Sequence, residues 1–482
     1  MSNFYNREER EEMEELVRMY ENLKLGRKAS FINEEDFERI VDYLEDKEDF
    51  SEAFKASSLA LEYFPYATFF MLRQADYLID NQRFIEAMHI LDKVELLDHN
   101  DISLYILRTD CLLGQEMPEK AALVLEEALE RFEGNERHEL LFELAEVYED
   151  YEDFDKVFDC LRMILMDSPD NEEALLKICF WAEFSGNNEA SIHLHQHLVD
   201  ETPYNEMAWF NLGSAYQGLK LYEKAIDAYK FALVIDEKMD IAWRNMSDAF
   251  IRQRKYKDAI ESLEKVLEIS RPEDVIYEAI GHCYHKLGNY AQARLHYRKS
   301  SHINPEDAHI FYKIAHTYYK EEKYQQAIKQ LEHALSLSKG YVEFVLLLGD
   351  CYLETNDLAK AAEAYANVVK AKPKSITGNQ AYIYCLLLDE RFEDALYMSR
   401  TAFANTGNNP VFNYYMSAAL LNMGKVKEGL IELENGLIGN PKGFRKMFEL
   451  FPGILQLPKV IDLVNQYLKK EKKKPRGKGK EI

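Results

Sequence analysis

Residues 209–240, "WFNLGSAYQGLKLYEKAIDAYKFALVIDEKMD", are followed after Ile241 by residues 242–270, "AWRNMSDAFIRQRKYKDAIESLEKVLEIS". Trp209 is answered by Trp243, Tyr216 by Phe250 and Ala225 by Ala259, always 34 residues on. Proline keeps the same time elsewhere. Pro65, Pro169, Pro203, Pro305, Pro373 and Pro441 are separated by 104, 34, 102, 68 and 68 residues, multiples of 34 apart from a two-residue excess in the first gap. Alanine repeats at another phase, at positions 225, 259, 293, 327, 361 and 395, with Ala53, Ala87 and Ala121 extending the series backwards. With proline set as place 32, units start at 34, 68, 102, 138, 172, 206, 240, 274, 308, 342, 376 and 410, and the unit from 102 carries the insertion.

Each unit reads as two helices. Trp209, Leu212, Gly213 and Tyr216 lie at i, i+3, i+4 and i+7, one face of a helix, and Ala225, Tyr229 and Ala232 line the face of a second. Short turns such as "LGNY" and "TNDL" use Gly and Asn, which tolerate a left-handed backbone. Place 8 is mostly small and place 20 is Ala nine times, as close helix packing requires. Proline at the end of a unit stops the second helix. The pattern predicts an all-α chain of antiparallel helix pairs.

The set W-x2-L-G-x2-Y, then A-x3-F/Y-x2-A, then P, resembles the tetratricopeptide repeat. The resemblance spans residues 34–443, as twelve repeats, and is weakest at 102–137, 376–409 and 410–443, where Gly429 replaces the Ala. It implies a right-handed superhelical α-solenoid whose groove is lined by the first helices. Residues 1–33 are then expected to form an N-terminal capping helix, 444–468 C-terminal capping helices, and 469–482 a basic disordered tail. A terminal repeat exposes the face that its missing neighbour would cover, which is why caps are expected.

Composition agrees with helices: 47% hydrophobic, 30% charged, only 12 Pro and 20 Gly. The formal net charge is −26, which disfavours uniform contact with phosphates. It is uneven, for residues 469–482 hold eight Lys or Arg against two Glu, a net of +6, leaving −32 on the rest. Nucleic-acid contact is therefore expected only through that tail, whose plainer role is a solvated end. The N-terminus has no apolar h-region and no stretch approaches 18 apolar residues, so neither signal peptide nor membrane span is expected. Six cysteines without a CxxC pair fit a reducing, cytoplasmic setting.

No phosphate-binding, metalloprotease or nucleophile-elbow motif is present, and the repeats leave no length for a catalytic domain, so no catalytic residue, metal site or cofactor is expected. In "HLHQH", His193 and His197 stand at i, i+4, but His195 takes the place of a core aromatic. The expectation is one packed histidine between two surface ones. Cys283, Cys351 and Cys385 share the tenth place of their units, which marks small core residues.

The resemblance assigns places 2, 5, 9, 12 and 13 to the groove. That stripe begins acidic: Glu35, Glu38, Asp42, Glu45 and Asp46, then Asp76 and Asp80, Asp110, and Glu139, Glu146, Glu149 and Asp150. From 240 the sign changes to Arg244, Arg252, His282, His285, Lys286, His309, Tyr312, His316, Tyr319 and Lys320, diluted by Asp248 and Glu278. Later it turns apolar, with Leu346, Leu353, Tyr384, Leu387, Tyr414 and Leu421. The expected function is a non-catalytic protein-interaction scaffold or adaptor. Residues 244–320 would hold an acidic or aromatic peptide segment, with histidines titrating near their usual pKa tightening the grip in mild acid. A peptide-responsive sensor and a nucleic-acid-associated factor using the tail are the alternatives. The family's carboxylate clamp, Lys at place 5 with Asn at place 9, is absent: the pairs here are Arg244 with Asp248, Glu278 with His282, and Tyr312 with His316.

Overall fold

The computed structural model describes residues 7–27, 31–445, 453 and 457–473. The described residues form helices and turns, without a strand. Helix pairs follow one another from Glu34–Asp46 with Phe50–Tyr63 to Val411–Asn422 with Val426–Gly439. Two compact units divide the chain, Met1–Ala249 and Phe250–Ile482. Within each unit, helices pack mainly on those one or two along the chain.

Local chemistry starts and stops these helices. Asn171, Asn205 and Asp307 precede first helices and accept the N–H of Ala174 (2.9 Å), Ala208 (2.9 Å) and His309 (2.8 Å), satisfying donors that a helix start leaves open. Asp49, Asp153, Asn289 and Asp357 cap second helices in the same way. The turn between the two helices is the same throughout. Place 15 is left-handed in every unit, in Glu48, Gln82, Glu116, Glu152, Gly186, Lys220, Arg254, Gly288, Glu322, Asn356, Glu390 and Gly424, with φ between 57° and 80°. The next N–H then closes the helix end, as Leu221 N–H does on the Tyr216 carbonyl at 2.8 Å. Only five of these twelve places hold the Gly, or the Asn or Gln amide, and the rest are charged.

Inside a pair, places 8 and 24 share one volume. Gly213, Gly281 and Gly349 face the rings of Tyr229, Tyr297 and Tyr365, so closely that a Cβ would stand 2.5–2.6 Å from a ring carbon. Where place 24 is leucine, place 8 grows to Ala (Ala75 with Leu91, Ala145 with Leu161, Ala315 with Leu331), Ser or Thr. Where place 24 shrinks to Ser57 or Ser399, place 8 is Val41 or Ile383. Large meets small in each pair, as close packing demands. The alanines of place 20 are all fully buried.

Against the first pair, the helix Arg7–Lys24 buries Met13, Leu16 and Tyr20 with Phe37, Ile40 and Val41. The helix Pro458–Lys473 buries Val460 and Val464 beside Leu433 and Leu437, while Ile461 is 41% exposed. It runs on to Lys473, into the segment 469–482 expected from the sequence to be a disordered tail. The remainder of that tail, 474–482, lies outside the described residues, as do 446–452 and 454–456 of the segment read as C-terminal caps. The fourth pair also departs from the sequence reading, since its first helix is Gly134–Asp150 and starts four residues before 138. The preceding helix, Pro118–Ala128, is only 11 residues long, and the chain released there adds a turn to the next helix.

Candidate protein-binding surface

In the second unit, the helices Asp274–Lys286 and Ala308–Lys320 bring His282, His285, Lys286, Tyr312 and His316 around one cavity of about 170 Å³. Tyr297, from a second helix, and Lys313 complete its lining. His285 Nε2 and His316 Nδ1 stand 3.0 Å apart, so the two imidazoles share one hydrogen bond. Lys313 pairs with Glu278, which removes that carboxylate from the local balance. Lys286 and Lys320 remain exposed at the rim. Both lie near enough to His285 and His316 to disfavour their protonation.

Aromatic side chains continue this surface. Tyr312 stacks on buried Phe344 at 4.8 Å and 17°, and exposed His309 meets Phe344 and Tyr341 edge-on at 5.2 and 4.4 Å. Tyr319 packs against Tyr324 at 5.6 Å. These rings are held before any ligand arrives, which lowers the entropy lost on contact.

His282, His285 and His316 are shifted below the ordinary histidine value that the sequence leads one to expect. Burial, and then His316, His282, Lys286 and Lys320, push His285 down to about 4. Burial and the neighbouring lysines also lower His282 and His316. At mildly acidic pH His285 stays neutral, so it contributes none of the tightening expected there, and Lys286 and Lys320 carry the charge beside it.

Of the other sequence-assigned residues, Arg252 is exposed at the end of the helix Asp240–Arg252 and belongs to the second unit. Arg244 belongs to the first, where its Nε pairs with Asp240 at 3.3 Å. The apolar continuation is corrected in part. Leu387, Tyr414 and Leu421 are buried in the core formed with Val460 and Val464, so they offer no open surface. His195 is fully buried without a partner for either ring nitrogen, and His193 and His197 are exposed, as the repeat register predicts. Cys283, Cys351 and Cys385 are fully buried and their thiols are pushed up, to about 12, 12 and 11, by burial.

The first unit has the opposite character. Burial, and then neighbouring carboxylates, push Asp110 up, with Asp76 and Asp80 acting on it, and push Glu143 up, with Glu146, Asp110 and Glu139 acting on it. Asp76 is likewise raised, by burial and then Asp80. Beside this acidic stripe lies a feature that the sequence reading passed over. On the helix Glu172–Ser185, Leu176, Phe180 and Phe184 occupy places 5, 9 and 13 and are 64%, 58% and 59% exposed.

Among known families, two models match the chain: the C-terminal ARM domain of tetratricopeptide repeat protein 21 over residues 187–344, and a tetratricopeptide repeat over residues 318–378. Neither describes an enzyme. No curated protein matches it by sequence. Among solved structures, it is similar to the C-terminal part of a TPR repeat-containing protein from Cytophaga hutchinsonii, at 14% identity over 50% of this chain and 99% of that one, with a TM-score of 0.44. It is also similar to the APC/C hetero-tetramer Cut9-Hcn1, at 14% identity over 84% of this chain and 99% of that one, with a TM-score of 0.35. YrrB, a TPR protein with an unusual peptide-binding site, matches at 17% identity over 39% of this chain and 96% of that one, with a TM-score of 0.35. The recurring helix pair, with its small residues at places 8 and 20, makes the described chain a tandem array of antiparallel helix pairs, and over residues 187–378 two family models match those pairs as tetratricopeptide-type repeats.

Proposed function

We propose that the protein is a non-catalytic interaction scaffold, and that its second unit holds an acidic, aromatic-containing protein segment on the surface built by His282, His285, Lys286, His309, Tyr312, His316, Tyr319 and Lys320. The observation that carries this reading is the convergence of Lys286 and Lys320 on the His285–His316 pair, beside fixed tyrosine rings. Two ammonium groups at one rim attract carboxylates, neutral imidazoles supply N–H donors, and Tyr312 and Tyr319 supply flat contact area. Arg252 is exposed in the same unit, and Arg244, which lies in the first unit and pairs with Asp240, is left out of the surface. A reducing, cytoplasmic setting belongs to this reading and is supported by six unpaired cysteines. No described helix is long and apolar enough to cross a membrane.

The test is binding of a short fluorescent peptide of alternating Glu and Tyr, read by anisotropy. K286E/K320E is expected to weaken it about tenfold or more, equivalent to about 1.4 kcal/mol. Between pH 7 and pH 6 an H285Q variant should show the same pH response as wild type, because His285 titrates far below that range. Equal affinity in wild type and K286E/K320E removes the proposed surface.

A further inference from the structure

Leu176, Phe180 and Phe184 follow one another at i, i+4 and i+8 along the helix Glu172–Ser185, so they form a single stripe. All three are more than half exposed, in a helix whose other apolar residues, Leu175, Ile178 and Trp181, are buried. The aromatic rings are fixed. Phe180 and Phe184 stack at 5.8 Å and 20°, Phe184 meets Phe154 edge-on at 4.7 Å, and Trp181 stacks on Phe154 at 5.3 Å. Three large apolar side chains held in water at one place mark a contact surface rather than scattered exposure.

The surroundings of the stripe select its partner. Glu173 and Glu183 lie exposed on the same helix, and Glu146, Glu149 and Asp150 lie exposed on the helix Gly134–Asp150. The two helices touch: Lys177 pairs with Glu173 at 2.8 Å and with Glu146 at 3.6 Å, and its ammonium lies 5.1 Å from the Phe142 ring. Lys177 is thus already engaged by two carboxylates, and the surface keeps an excess of negative charge. Phosphates, nucleic acids and anionic lipid are repelled here.

We infer that the Leu176–Phe180–Phe184 stripe docks a cationic amphipathic protein segment, one that lays an aromatic or aliphatic side chain on the rings and sets Lys or Arg against Glu146, Glu149, Asp150 and Glu173. Charge complementarity fixes the sign of the flanks, and the fixed rings fix the anchor. Arginine is favoured, because its guanidinium serves both carboxylates and phenylalanine faces. The inference is independent of the surface in the second unit and has the opposite chemistry. A chain carrying both joins an acidic segment to a basic one.

The experiment uses the full chain and three labelled peptides: Trp and Leu flanked by Lys and Arg, the same anchors flanked by Glu, and the basic flanks around Ala. In a K286E/K320E chain, whose acidic-segment surface in the second unit is disabled, only the first is expected to bind, and adding F180S/F184S should weaken it about tenfold or more, the loss typical of an anchoring contact. E146K/E149K, which leaves the rings in place, should weaken it too, and added salt should do the same. K286E/K320E should leave it unchanged, which separates this result from failure of the first surface. Both phenylalanines are exposed, so the serine variant should retain the wild-type helical signal. E146K/E149K provides a second reading that does not depend on the rings. The inference is overturned if no basic peptide binds, if F180S/F184S binds as wild type does, or if the Glu-flanked peptide binds the K286E/K320E chain equally. It is also overturned if the stripe instead mediates self-association, seen as a wild-type dimer that F180S/F184S makes monomeric.

Discussion

Gly213→Ala tests the shared volume of places 8 and 24. The added methyl would lie 2.5, 2.6 and 3.1 Å from Cε1, Cδ1 and Cζ of Tyr229, and none of its nearest contacts is backbone. Tyr229 is fully buried and its hydroxyl donates to Gln217 Oε1 at 3.1 Å, so the ring has no free direction in which to move. Overpacking of this kind costs about 1–3 kcal/mol, against a gain of about 1 kcal/mol from placing Ala instead of Gly in a helix. A clash this short belongs at the upper end, so G213A should lose about 2 kcal/mol. Y229L alone should lose about 2–4 kcal/mol through a cavity and a lost hydrogen bond. The double variant recreates the Ala–Leu pairing of Ala75 with Leu91 and Ala315 with Leu331. It should therefore be more stable than the sum of the single changes by about 1–3 kcal/mol, a coupling within the range for residues in contact. Hydrogen exchange of the helices Glu206–Gly218 and Tyr222–Ile235 measures this locally, which suits a repeat array whose global unfolding need not be two-state. Additivity within about 0.5 kcal/mol, or a G213A chain as stable as wild type, refutes the shared-volume argument.

Two further outcomes follow from single buried or strained positions. His195→Leu should raise stability by about 1–3 kcal/mol, because it removes a buried ring with two unpartnered nitrogens. Burial pushes His195 down to about 3, so the unfolded chain binds its proton first as pH falls below about 6.5, and the wild type loses stability from there down to about 3. Melting at pH 7 and pH 5 should show the variant's advantage widening in acid, and a constant gap or a less stable variant contradicts this. At the left-handed turns, Glu116→Gly and Glu390→Gly should each add about 0.5–1 kcal/mol by relieving a backbone conformation that only glycine adopts freely. Gly288→Ala should lose a similar amount although its Cβ meets nothing within 4 Å, and denaturant midpoints moving the other way exclude the strain.

The helix pairs were legible because one requirement recurs along the chain: places 8 and 20 must admit a neighbouring helix, and place 32 must end one. What escaped the sequence depends on distances between elements. Lys313 sits at place 6, off the assigned stripe, yet reaches Glu278 on the preceding repeat, and Tyr297 joins the cavity from a second helix. The downward shift of His285 follows first from burial and from His316 and Lys320 on the next repeat's first helix, which a single helical wheel does not contain, besides His282 and Lys286 on its own helix. Leu387, Tyr414 and Leu421 obey the stripe rule but are covered near the end of the array. Leu176, Phe180 and Phe184 could have been found, since they fall on the same places as the acidic residues of the preceding units. The left-handed turn was visible only where Gly or Asn marked it, and charged residues hold the same conformation elsewhere.

The matched sizes at places 8 and 24 also govern how such a chain can be reshuffled. A crossover falling between the two helices of a pair would set a glycine-bearing helix against leucine, leaving a hole, or an isoleucine-bearing one against tyrosine, which does not fit. A crossover in the loop between pairs carries both partners together and leaves each hairpin intact. Duplication, loss and laboratory grafting should accordingly respect whole hairpins, with the seam placed beside the terminal proline rather than at the left-handed turn.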